Sequence, residues 1–377
     1  MPPLSLYIHI PWCIRKCPYC DFNSHKSPDN LAEIAYVHAL IDDLRQDLAF
    51  FPAKPLHSIF IGGGTPSLFS AAAYDLLFQQ LKQVLDFSET IEITMEANPG
   101  TVEQQRFYDY RCLGINRISL GIQSFNPQHL KRLGRIHDEK QAHRAIESAR
   151  NAGFDNINID LMHSLPEQTL SQAMQDLQLA LDHQPEHLSW YQLTIEPNTV
   201  FYKKTPPLPT EDDAYEIETS GLALLNAHNF ERYEISAFCN KKRYAQHNIN
   251  YWLFGDYLGI GAGAHGKLTQ PNTNQVQRTR KQRQPKDYLD QNKPFMAEIK
   301  SVGNDDLLFE FMLNTTRLEQ AIPFLLFTER TGIDFTVLEP KLREAETKGF
   351  ITLHKNAWQV NPLGRQFTND MQALFLP

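Results

Sequence analysis

Cysteine is scarce in this chain: there are five in 377 residues, and three of them fall inside one eight-residue stretch. An odd total with one tight cluster excludes a disulfide framework and points to a metal site in a reducing compartment. Cys112 and Cys239 stand alone. Long apolar runs are also missing, so no helix is expected to span a membrane. The opening MPPLSLYIHIPWC has no basic segment before an apolar core and no small-residue cleavage site, so no secretory signal is expected and the cytoplasm is the expected location. An excess of positive charge is absent too. The formal net charge is −8, which argues against general attraction to nucleic acid or anionic lipid.

What the chain does have is a repeating pattern. Short apolar, β-branched runs at Leu4–Ile10, His57–Ile61, Ile91–Glu96, Arg117–Ile122, Asn156–Leu161 and His187–Leu193 read as strands. Amphipathic stretches at Leu31–Phe50, Ala71–Leu85, Val102–Leu113, Glu139–Ala152, Leu170–His183 and Asp212–His228 read as helices. Six strand–helix units in succession predict an α/β fold with a parallel sheet and right-handed crossovers. Unusual residues follow these strands: Cys13, then Gly62–Pro66, Glu96–Pro99, Gln123 and Asp160. Ligands of parallel α/β proteins gather at the carboxyl ends of strands, so five strands are expected to converge on one site.

Residues 1–235 are expected to form this core, and 236–300 a connecting region. The polar, basic stretch Pro271–Pro285 within it reads as a solvated loop. Residues 301–377 change character: helical patterns at Asp305–Leu313, Glu319–Phe324 and Thr336–Lys348 precede a hairpin of Phe350–His354 and Trp358–Val360. That order is winged-helix-like. The acidic balance and the lack of a basic recognition helix favour a cap packed on the core over a DNA-binding module.

The cysteine cluster is Cys13-Ile-Arg-Lys-Cys17-Pro-Tyr-Cys20. Thiolates suit iron–sulfur clusters and zinc. Most clusters take four cysteines, so three on one loop leave one iron open to a small molecule. The amino and carboxylate groups of S-adenosylmethionine form a natural chelate for that position. Zinc would need a fourth ligand, which His9 or His25 could supply, but no second cysteine pair is present.

LYIHIPWCIRKCPYCDF resembles the cluster loop of the radical-SAM superfamily, and most of all the branch that holds oxygen-independent coproporphyrinogen III oxidase and the heme chaperone HemW. The resemblance implies a partial (β/α)6 TIM-like barrel with a C-terminal helical, winged-helix-like domain. It implies a [4Fe–4S] cluster on Cys13, Cys17 and Cys20, with S-adenosylmethionine bound against it. In the family, electron transfer from the cluster splits the S–C5′ bond of that cofactor. Gly64 and Thr65, in the GGGTP loop, match the family's methionine-binding segment. Glu96, Gln123, Arg135 and Asp160 match its further cofactor residues, and Tyr7 is implied to lie near the cluster. Taken by their chemistry, a strand-end carboxylate accepts from ribose or an amine, and a guanidinium fork suits a carboxylate.

Two departures separate the chain from the oxidase. Only twelve residues precede Cys13, where the oxidase has a longer extension, and Phe22 stands where the oxidase has a further cysteine. Both departures match the chaperone side of the branch. His247-Asn248-Ile249-Asn250-Tyr251-Trp252 resembles the HNxxYW of heme-chaperone homologues, within an expected Tyr/Trp-rich strand. A neutral imidazole is the usual axial ligand of heme iron, and Tyr and Trp offer flat apolar surface to a porphyrin. His247 is therefore the first heme-ligand candidate. His265, in a glycine-rich stretch, is a second, and His9 and His163 are further strand-end histidines. Cys239 could form a thioether. The implied partners are heme and a heme-acceptor protein, with the acceptor among membrane respiratory heme proteins and a transient visit to the membrane. The competing class is a true radical-SAM enzyme acting on a tetrapyrrole.

Overall fold

The computed structural model describes residues 2–51, 54–101 and 104–377. Six of its strands are the expected ones, with ends shifted by a few residues: β1 (Leu4–Ile10), β2 (Leu56–Gly63), β3 (Phe87–Ala97), β4 (Arg117–Gln123), β5 (Ile157–His163) and β6 (His187–Gln192). The six intervening helices are found as well, and the start of the expected Val102–Leu113 helix, Val102 and Glu103, lies outside the described residues. Six further strands extend the sheet: β7 (Glu231–Glu234), β8 (Ala237–Cys239), β9 (Asp256–Ile260), β10 (His265–Thr269), β11 (Val276–Lys281) and β12 (Met296–Ser301). The order across the sheet is β12-β11-β10-β9-β1-β2-β3-β4-β5-β6-β8-β7. Strand β9 lies parallel to β1, so seven adjacent strands are parallel and antiparallel strands flank them on both sides. Residues 236–300, read as a connecting region, thus build much of the sheet.

Period-two alternation decides what each face of the parallel strands meets. Leu4, Leu6, Ile8 and Ile10 of β1 join Ile59, Ile61, Ile118, Leu120, Ile157 and Ile159 in the main apolar core, against helix residues such as Val37, Leu40 and Leu77. The intervening residues face the barrel lumen, and many are polar: Ser5, Ser58, Glu92, Ser119, Asn158, Asp160 and His187. These groups satisfy one another. Ser5 and Ser58 are 2.8 Å apart, Asn158 Nδ2 donates to Ser119 Oγ at 2.8 Å, and His187 Nδ1 lies 2.6 Å from Asn158 Oδ1.

A short helix, Gln246–Trp252, floors this lumen. It was expected as a strand, and its composition is poor for a helix. Its stabiliser is remote in sequence: the buried Glu92 carboxylate of β3 accepts from the backbone N–H of Gln246 at 3.0 Å and of His247 at 3.2 Å. A carboxylate at a helix N-terminus satisfies orphan donors and complements the dipole.

The Pro271–Pro285 stretch is corrected more plainly. It contains strand β11, and the three cations of that strand are paired. Arg278 meets Glu310 and Tyr257, Arg280 meets Glu298, and Lys281 is buried between Asp43 and Asp47 of helix Glu33–Phe50. Local charge suggested solvent, whereas long-range acid partners allow a strand. In the C-terminal region the expected Glu319–Phe324 helix is instead a two-residue strand, Ile322–Pro323, followed by helix Phe324–Thr331. Pro323, without an N–H, begins that helix rather than continuing one. The three-stranded sheet around Trp358 and helices Asn304–Thr315, Phe324–Thr331 and Phe335–Thr347 share a second core, which also includes Phe254 and Val276 from the barrel side. The winged-helix-like unit is therefore packed on the barrel as a cap.

Removing Lys281 leaves two buried carboxylates unpaired. We expect Lys281→Ala to cost about 3–5 kcal/mol. Arg280→Ala, which breaks a half-exposed pair, should cost about 0–1 kcal/mol. Urea denaturation midpoints check both, and equal losses would contradict the account.

Candidate functional site

The cysteine loop lies over the carboxyl ends of the parallel strands, where it meets the glycine loop that follows β2. Gly64 donates its N–H to Ile10 O at 2.7 Å, and a Cβ there would fall 2.5 Å from Trp12 O. Gly63 has φ of 117°, and a Cβ on it would strike the His9 ring. Only glycine allows the two loops to approach this closely.

Cys13, Cys17 and Cys20 are half-buried, and all three line one cavity of about 310 Å³. Thr65 Oγ1 donates toward Cys13 Sγ at 3.5 Å, Arg135 reaches Cys17 Sγ at 3.8 Å, and Ser24 Oγ lies 3.9 Å from Cys20 Sγ. Burial pushes the Cys13 and Cys20 thiols up, so a metal that binds them must displace protons. Donors directed at each sulfur favour the thiolate once it is metal-bound. Among the described residues, no three His, Cys, Asp or Glu side chains converge on one ion position. In a cubane each thiolate would sit on its own iron. The donor set fits a three-cysteine cluster.

The same cavity gathers Gly64, Thr65, Glu96, Gln123, Arg135 and Asp160. Arg135 is held by Gly121 O and Cys17, while its buried Nε has no hydrogen-bond partner. A desolvated, unsatisfied guanidinium donor needs an acceptor, such as a ligand carboxylate. Glu96 accepts from Gly63 N–H at 3.1 Å. Burial, reinforced by repulsion from Asp160, pushes the Glu96 carboxyl up to about 8. Burial also raises Asp160, whose oxygens accept from Ser119 at 2.9 Å and Asn158 at 2.8 Å. Two desolvated carboxylates in one cavity favour a cationic ligand. Gln123 sits at φ of 68°, a strained conformation for a non-glycine, and Tyr191 donates to its Oε1 at 2.8 Å. Such strain is retained where the position of a side chain matters.

Ser119, Ser189 and Tyr191 also line this cavity, and the sequence reading missed them. Alternation of polar residues along β4 to β6 was the available signal. Tyr7, expected close to the cluster, lines a second, adjoining cavity of about 500 Å³. Its hydroxyl bonds His9 Nδ1 at 2.9 Å. His9 Nε2 must donate to Asn23 O, so Nδ1 accepts and Tyr7 donates. Glu96, Gly63 and Phe22 line both cavities.

His247, the first heme-ligand candidate, lies in the floor helix. His247 is wholly buried, Nδ1 is engaged by Ser58 Oγ at 2.9 Å and Nε2 by Tyr251 OH at 2.7 Å. Neither ring nitrogen is free for iron, and burial drives the ring down to about 3. Cys239 is also fully buried, and His163 is buried against Trp190.

Residues 7–180 match the family model of the Radical SAM superfamily, and residues 302–367 that of the HemN C-terminal domain. The chain is 47% identical to the heme chaperone HemW of Haemophilus influenzae, over 100% of this chain and 98% of that protein. It is 46% identical to the heme chaperone HemW of Escherichia coli, over 100% and 99%. The chain belongs to the HemW family of radical-SAM proteins. Coproporphyrinogen III oxidase (HemN) from Escherichia coli matches with a TM-score of 0.83 at 22% identity, covering 99% of this chain and 90% of that one, which shows a shared fold. Membership in the family implies use of S-adenosylmethionine and a [4Fe–4S] cluster.

If Glu96 meets the cofactor, its raised carboxyl should make cofactor binding pH-dependent. A ligand carrying a sulfonium and an ammonium favours the ionised carboxylate. Below about pH 8 binding therefore expels a proton. Affinity for S-adenosylmethionine should rise by up to about tenfold per pH unit between pH 6 and 8. Calorimetry in buffers of different ionisation enthalpy reads the released proton, and Glu96→Gln should flatten the slope. A wild-type affinity independent of pH in this window would refute the assignment.

Proposed function

We propose that this protein is a heme chaperone, which binds one heme and hands it to an acceptor protein under the control of a [4Fe–4S] cluster and S-adenosylmethionine. The carrying observation is the pair of adjoining cavities. One is lined by the three thiols, and the other is larger and aromatic, with Glu96, Gly63 and Phe22 forming the wall between them. Identity of 46–47% along the whole chain to proteins named heme chaperones supports the same reading.

In this proposal Cys13, Cys17 and Cys20 hold the cluster. A cluster held there would, when reduced, supply the electron for cleavage of the cofactor's sulfonium. Arg135 receives the cofactor's carboxylate on its free Nε. Gly64 and Thr65 bring backbone close to the methionine end, and Glu96 and Asp160 hold its cationic and hydroxyl groups. Gln123 is fixed by Tyr191 at the cavity wall. Tyr7 and His9 shape the second cavity and keep a defined proton arrangement there. A membrane respiratory heme protein is the proposed acceptor, visited transiently from the cytoplasm. Among the described residues no helix is long and apolar enough to cross a membrane.

The alternative, an oxidase of the same branch, rests on the shared fold, and fold alone does not carry function. Phe22 offers no thiol chemistry at a position where the oxidase has cysteine. Anaerobic incubation of cluster-loaded protein with coproporphyrinogen III, S-adenosylmethionine and reductant should yield no protoporphyrinogen IX above a protein-free control. The same preparation should bind heme and pass it to an apo-cytochrome, read by the acceptor's absorbance. Enzymatic formation of protoporphyrinogen would overturn the reading.

A further inference from the structure

Among the described residues, Arg117 is a buried cation without a counter-charge. It begins β4, faces the lumen two residues before Ser119, and is 2% exposed. Its Nε has no hydrogen-bond partner, and none of its nitrogens forms an ion pair or hydrogen bond among the described residues. The buried lysines of the sheet differ: Lys267 is paired with Asp256, and Lys281 with Asp43 and Asp47. A guanidinium taken out of water needs an anion or a full set of acceptors.

The acceptors of the surrounding lumen are taken by other donors. Asn158 Oδ1 accepts from His187 Nδ1 at 2.6 Å and from Ser189 Oγ at 3.1 Å. Tyr233 OH accepts from Ala245 N–H at 3.3 Å and donates to His187 Nε2 at 2.8 Å. Asp160, above Arg117 in the lumen, is held by Ser119 and Asn158, and Glu92, below it, by the floor helix. Burial drives the His187 ring well down, and the Arg117 charge adds to that, as a cation left unneutralised does. Space opens at the same level. A polar cavity of about 340 Å³ at the amino ends of the strands is lined by Glu92, Asn116, Asn156 and Gln246, and by the exposed Lys242 and Arg243. Asn156 lies beside Arg117, since its carbonyl accepts from Ile118 N–H at 3.1 Å. Its buried side-chain oxygen has no partner either, and half a turn of that amide presents an N–H donor instead.

We propose that the base of the lumen binds a small monovalent anion of the chloride type, with the Arg117 guanidinium as its counter-ion and the amino-end cavity as its way in. One guanidinium balances one negative charge. The desolvation cost of an ion rises steeply with its charge, and Asp160 and Glu92 flank the position, so a divalent anion is disfavoured. Lys242 and Arg243 at the cavity favour entry of an anion. The site is distinct from the thiol-lined cavity and from the second cavity, neither of which Arg117 lines.

The test uses sodium chloride as the probe, with cluster-loaded protein and saturating S-adenosylmethionine so that Arg135 is engaged. The chlorine-35 line width should broaden saturably with wild type. Sodium bromide should reverse the broadening, and sodium sulfate at equal ionic strength should not. Arg117→Met should lose it. Urea unfolding gives a second readout at constant ionic strength, with chloride replacing the bulkier gluconate. In gluconate Arg117→Met should be at least as stable as wild type, because it removes an unpaired buried charge. Chloride should raise the wild-type midpoint and leave that of the variant unchanged. For an affinity of about 10 mM, 100 mM chloride raises the wild-type folding equilibrium constant about tenfold. Should Arg117→Met not fold, Arg117→Gln takes its place in both measurements. Absence of saturable broadening with wild type, or broadening and a chloride-dependent midpoint retained without the arginine, would overturn the proposal.

Discussion

A carboxylate taken out of water must find donors, and the lumen of this barrel is organised by that requirement. Glu92 meets it with the first turn of the floor helix, more than 150 residues further along the chain. The floor helix in turn places Asn250 against Ser5, His247 against Ser58 and Tyr251 against the second cavity. Glu96 and Asp160, higher on the strands, have no such helix. Their partners are neutral hydroxyls, amides and one backbone N–H, which do not offset burial. The base of the lumen therefore meets its carboxylate from within the fold, and the top retains an unmet demand for positive charge. Charge demand divides along the same strands by depth.

The same division appears among the basic residues of β11. Lys281 is spent on Asp43 and Asp47 and ties the strand to helix Glu33–Phe50, which packs on β9. Arg278 is spent on Glu310 and Tyr257 and ties the strand to the C-terminal cap. Arg280 is the remaining cation of that strand whose pair is open to solvent. A single strand thus joins the barrel, the cap and the mouth of the second cavity, so loss of its packing would disturb ligand binding without any contact to ligand being removed.

Most of what repeats locally was legible in the sequence. The six strand–helix units, the three thiols and the carboxyl-end cluster of Glu96, Gln123 and Asp160 follow from period-two and helical patterning together with strand-end chemistry. What was not legible depends on partners distant in sequence. The floor helix exists because Glu92 caps it, and β11 is a strand because acids from two other regions neutralise it. The surroundings of His247 were not legible for the same reason. A histidine beside Tyr and Trp is attractive for heme until Ser58 and Tyr251 are seen to occupy both its nitrogens. His265, less conspicuous in a glycine-rich stretch, lines the second cavity.

Fold likeness to the oxidase at 22% identity leaves the difference in function to be found in side chains at the shared wall. Phe22 lines both cavities and is largely exposed, with a relative exposure of 61%. An exposed aromatic ring bounded by two cavities offers flat apolar surface to a ligand in either one. A porphyrin face meets it on one side and presents no group that Phe22 must protonate or oxidise. In a carrier the wall needs to fill space and yield, whereas in an enzyme it would need to react. On that physical ground Phe22 suits a protein that holds a tetrapyrrole next to a radical-generating site without consuming it.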